Sequence, residues 1–87
     1  MAVRLHGFEE SLRFIRENPI FSLNVHTGWD SPVADVICLW WDPLTKMYDV
    51  SFESGRHPMI IDHVSLINFF IPSINFIEGI DINARFE

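Results

Sequence analysis

Eighty-seven residues and 10.2 kDa make one small domain, for which area scaling sets a folded surface near ~5,300 Å² against ~14,800 Å² unfolded, burying roughly 64%. Hydrophobic residues at 48% against 21% charged exclude intrinsic disorder. Six Lys and Arg against twelve Asp and Glu, net −6, exclude a nucleic-acid binder that works through phosphate contacts, and one cysteine excludes both a disulfide scaffold and a cysteine zinc site.

The first periodic stretch places Leu5, Phe8, Leu12 and Ile15 on one helical face, with Glu9 and Arg13 an i, i+4 pair in the favourable order. Asn18-Pro19 stops it, so the spacing predicts a helix over residues 8–18, with Glu9 and Glu10 near its positive end. Phe21, Leu23 and Val25 then alternate with Ser22, Asn24 and His26, a half-buried strand. Thr27-Gly28-Trp29-Asp30-Ser31-Pro32 is turn chemistry, and the apolar run Val33 to Trp41 suits a central strand. Asp42-Pro43-Leu44-Thr45 turns the chain into a third strand, Lys46 to Glu53, whose apolar Tyr48, Val50 and Phe52 oppose polar Asp49, Ser51 and Glu53.

A slip of one residue would carry a whole apolar set to solvent, so these faces constrain the hairpin. A four-residue loop pairing Trp41 with Lys46 sets Leu39 against Tyr48 and Ile37 against Val50 on the core side, with Cys38 against Asp49 outside. It seats Asp35 on the core side opposite Phe52 and leaves Trp40 beside Met47 on the outer side. Beyond the loop Ser54 to Pro58, Asp62 is an N-cap for a helix running to Ile71, with a start as early as Met59 as the alternative. Ser73 caps a short turn through Glu78 that ends at Gly79, and Ile80, Ile82, Ala84 and Phe86 alternate with Asp81, Asn83, Arg85 and Glu87 as a last strand.

The order α-β-β-β-α-β implies a single compact α+β domain over residues 1–87, an antiparallel or mixed sheet with helices packed on one face. Double-stranded RNA-binding domains share a helix, three strands and a helix, but the second helix here opens Asp62-His63-Val64-Ser65 with no lysine for phosphate. No signal peptide is visible, and the longest uncharged stretch, Val64 to Ile77, is too short and too interrupted for a membrane span; the expected compartment is the cytoplasm.

Catalytic and metal chemistry find little footing. His6, His26, His57 and His63 have no helical i, i+4 ligand partner, Cys38 lies mid-strand, no G-x-S-x-G turn exists, and the glycines stand too far apart to cradle phosphate. The expectation is therefore no enzyme activity, cofactor or metal. The weakest of the competing readings is a ligand pocket using His26, Asp49 or His57.

Charge placement is more informative. Residues 1 to 17 balance, so the rest of the chain carries the whole −6, and five carboxylates fall between Asp30 and Glu53 with only Lys46 among them. Large aromatics rimmed by carboxylates have the composition of an interface hot spot. The expected partner-binding residues are Trp29, Asp30, Trp40, Asp42, Asp49 and Glu53, unless Trp40 is instead covered by a helix or by the segment from Phe69 to Phe76. The partner would be a protein with a basic surface, such as a nucleic-acid-processing enzyme, bound by an inhibitor or adaptor. In size and charge the chain is similar to compact acidic inhibitors such as phage anti-defence proteins and toxin immunity proteins, a likeness that covers no motif. The alternative is a homo-oligomer subunit, a homodimer for example, with Phe69, Phe70, Phe76, Ile77 and the sheet's edge at the contact.

Overall fold

The computed structural model describes residues 2–85, with side chains from Gly7 onward. Helix α1 (Ala2–Glu17) leads into β1 (Phe21–Thr27), β2 (Val36–Asp42), β3 (Met47–Phe52) and β4 (Met59–Ile61); α2 (His63–Phe70), a 3₁₀ segment (Ile71–Phe76) and β5 (Ile77–Ala84) follow. The sheet is five-stranded and antiparallel throughout, in the order β4-β3-β2-β1-β5. This is the small α+β domain expected, with one more strand. Its accessible surface of 5399 Å² matches the value that chain length alone requires.

One face of the sheet carries the core. Phe8, Leu12 and Ile15 of α1, Leu66 and Phe70 of α2, and Ile74 pack on Leu23, Val25, Ile37, Leu39, Tyr48 and Val50, all buried. Fully burying one such side chain stabilises the fold by about 1.5–3 kcal/mol. The Phe8 and Phe70 rings meet at 4.7 Å between centroids and tie the two helices together over the sheet.

Several boundaries differ from the sequence reading. α1 begins at Ala2, ahead of Gly7, whose low helix propensity argues for a later start; Glu9 and Glu10 therefore lie mid-helix rather than at its positive end. Ser73 caps nothing. It is buried in the 3₁₀ segment, and Glu78 and Gly79 belong to β5. The Asp62 cap is present, its side chain accepting from the Ser65 N–H at 2.8 Å. β4, which the reading left in loop or at a helix start, is three residues long, too short for an alternation to register.

The hairpin keeps its faces but slides by two residues. Leu39 opposes Val50 and Ile37 opposes Phe52, with Trp41 against Tyr48 and Asp42 against Met47. The slide arises at the turn: Asp42 Oδ1 accepts from the Leu44 N–H at 2.9 Å, the Lys46 N–H donates to Asp42 C=O at 2.8 Å, and Lys46 takes φ 60°. Cys38 consequently faces Ser51 rather than Asp49. Asp35 precedes β2 instead of entering the core. Of the residues named for an oligomer contact, Phe70 and Ile77 are buried inside the chain.

Candidate functional site

The expected site residues separate into two places. Trp29 and Asp30 sit in the β1–β2 loop and Glu53 just after β3, at the end of the sheet where β2 begins; Trp40, Asp42 and Asp49 lie toward the other end. Val36 and Trp40 are four residues apart along β2, about 13 Å at strand rise.

At the first end, His26, Thr27, Trp29, Asp35, Glu53 and Glu78 are among the residues that line an open groove of about 530 Å³. Trp29 is 88% exposed, an indole held out to solvent. The loop that presents it is pinned from below. The Thr27 hydroxyl engages the Val33 and Asp35 carbonyls and accepts from the Asp35 N–H at 3.0 Å, while the Gly28 N–H donates to Phe76 C=O at 2.8 Å. A Cβ at Gly28 would sit 2.8 Å from Glu78 Oε2 and 2.9 Å from Asp30 Oδ1, so both carboxylate ends would have to move to admit it.

Asp35 locks the floor of the groove. Its Oδ1 accepts from the Val36 N–H at 2.8 Å and the Ser54 N–H at 3.0 Å, and its Oδ2 from the Ser54 hydroxyl. Desolvation works to raise its pKa, but the Ser54 and Val36 hydrogen bonds and the nearby Arg56 charge together hold the carboxyl below its ordinary value. Asp35 is thus a fixed negative charge, while Glu53 and Glu78 are exposed and able to turn toward a ligand.

The uncovered face of the sheet carries Trp40, on the side away from both helices, so the alternative of a helix cover does not hold. Trp40 is half-buried, opposite Asp49 across β2–β3, with the Arg85 guanidinium 5.2 Å from its ring centroid. Two shallow concavities flank it, one of about 280 Å³ with Cys38 and Arg85, the other of about 290 Å³ with Asp49, Pro58 and Ile60. Asp42 is committed to its turn. Farther along this face His26 Nε2 pairs with Asp81 Oδ2 at 2.9 Å.

His26, Asp49 and His57 are not brought together as a pocket. Asp49 lies level with Trp40 and His26 level with Val36, and no group of three His, Cys, Asp or Glu among the described residues is placed to hold a metal ion. His63 instead joins a clamp between α1, β3 and α2. Arg16 Nη1 donates to Tyr48 Oη at 2.7 Å and to His63 Nδ1 at 3.2 Å, and Tyr48 Oη lies 2.9 Å from that nitrogen. Arginine has only donors, so a hydrogen bond from Arg16 requires His63 Nδ1 without its proton, as in the neutral ring. Burial, then the Arg16 charge, push the His63 pKa down against Glu9 and Asp62; burial raises that of Tyr48. His6 lies outside the residues whose side chains are described.

The reading of the sequence missed Asp35 and Glu78 as groove residues. Asp35 looked like a misplaced core position, and Glu78 lies at the point where the pairing of β5 with β1 shifts register, between His26 and Thr27. Compared with protein-family models, curated proteins and solved structures, the chain matches none. No helix among the described residues is long and apolar enough to cross a membrane.

Proposed function

We propose that the chain is a small non-enzymatic binding protein, an inhibitor or adaptor, that occupies a basic surface of a protein partner, such as the nucleic-acid groove of a processing enzyme. The observation that carries this reading is the groove itself: a solvent-exposed Trp29 lining the same groove as Asp35, Glu53 and Glu78. A guanidinium or ammonium group on an apolar stem satisfies both features, its charge on the carboxylates and its face or stem on the indole. The net charge of −6 steers such a partner toward the chain, and the aromatic anchor sets how long it stays. Trp40 and Asp49 on the uncovered face extend the surface rather than form its centre.

Affinity capture from the native host's lysate tests the reading, with the wild-type chain and the Trp29→Ala and Glu53→Lys variants as parallel baits. Proteins retained by the wild type, rich in Lys and Arg and lost from both variants, are the expected result. Retention that is equal on all three baits contradicts it.

A further inference from the structure

The two edges of the sheet are unequal. β4 is three residues long and follows Pro58, whereas β5 runs for eight residues without proline or lysine, two of the devices that keep an edge from pairing, and its irregularity against β1 lies at the Glu78 end, away from Ile82. The Arg85 N–H donates to Ile20 C=O at 2.7 Å, so by the alternation of an antiparallel ladder Gly79, Asp81 and Asn83 also turn their amides toward β1. The even-numbered Ile80, Ile82 and Ala84 therefore present their N–H and C=O groups to the free edge. Beside it on the helix side lies an apolar patch: Ile82 is 43% exposed, Phe14 of α1 is 38% exposed, and the Phe14 and Phe21 rings meet at 5.4 Å.

We infer that the chain forms a two-fold homodimer by antiparallel pairing of β5 with β5 of a second copy, centred on Ile82. The edge is complementary to itself, and the side chains set opposite each other select the register, the net −6 of each copy acting against the association. Centring on Asp81 would set two like carboxylates opposite each other, and centring on Ile80 or Asn83 would use fewer of the free amides within β5. Centring on Ile82 pairs Ile82 with its own copy and Ile80 with Ala84, which engages all three free residues. On the other face it sets Asp81 against Asn83 and Gly79 against Arg85, with no like charges opposed. The Phe14 and Ile82 patches of the two copies then meet across the axis. The groove with Trp29 stands at the β2 start of each protomer, so the dimer is independent of the function proposed above.

Sedimentation equilibrium on the full chain tests this, alongside amide hydrogen exchange on the wild type. The expected mass is twice the 10.2 kDa of the chain, falling to a single chain in Ile82→Lys, which opposes two charges at the axis, and in Ile82→Pro, which removes the outward N–H and the apolar side chain while leaving the hydrogen bonds to β1. Circular dichroism reports whether each variant has folded. In the wild type the Ile80, Ile82 and Ala84 amides gain protection as protein concentration rises. A wild type that stays a single chain at high micromolar concentration overturns the proposal. So does a dimer that persists in the folded variants or leaves those amides unprotected.

Discussion

The hydroxyl of Tyr48, at the centre of the core, lies 2.9 Å from Nδ1 of His63 at the first turn of α2, and Arg16 donates to both. Protonating His63 removes its acceptor and places a second cation beside the guanidinium. Its folded pKa lies below the ordinary 6.5, so the unfolded chain binds more protons in that range. Stability is therefore complete above about pH 6.5, falls as pH drops toward the folded pKa and levels off below it. Thermal melts from pH 8 to pH 5 should show this decline in the wild type and a flatter profile in His63→Gln. At lower pH a second loss follows, as Asp35 and Asp62, both held below 3.8 by hydrogen bonds, become protonated.

Ser73 Oγ is buried with no hydrogen-bond partner among the described residues. Removing a buried unsatisfied hydroxyl relieves a desolvation cost, so Ser73→Ala should stabilise the fold by about 1 kcal/mol. Urea denaturation measures it, as a higher midpoint with unchanged slope.

Lys46 closes the β2–β3 turn at φ 60°. A residue with a Cβ is disfavoured there by roughly 1 kcal/mol, which glycine escapes at some cost in unfolded-chain entropy. Lys46→Gly should accordingly stabilise by about 0.5 kcal/mol. Lys46→Val should destabilise, the branched side chain being the poorest fit; chemical denaturation orders the three.

Gly28→Ala introduces a Cβ that Glu78 and Asp30 must move to admit. Both side chains can swing into solvent, so the melting temperature should change little while the groove loses its Glu78 carboxylate. Partner affinity should fall at least about threefold, equivalent to roughly 0.7 kcal/mol. Calorimetric titration beside a thermal melt separates the two effects.

The fold was legible in the sequence where patterns were long and strict. The alternation in β1 and β3 identified the covered and open faces, and Asp62 marked the start of α2. Register was not legible, because a shift of two residues preserves every face and only the Asp42 and Lys46 turn chemistry distinguishes the alternatives. The candidate site was legible as composition, acidic with tryptophan, but not as placement. Strand direction sends Trp29 and Glu53 to one end and Asp42 to the other. Asp35 enters the groove through a capping contact and Glu78 lies at a register shift, neither of which leaves a periodic signal.

The central claim is that the Trp29 groove takes a basic side chain of a protein partner, and an NMR titration of the labelled chain with an arginine-rich peptide addresses it most directly. The account predicts saturable shifts concentrated on the Trp29 indole N–H and the Asp35, Glu53 and Glu78 amides, weakened about 30-fold in Trp29→Ala, the roughly 2 kcal/mol of an aromatic hot spot. Shifts spread evenly over the acidic surface, or binding unchanged in Trp29→Ala, would contradict it.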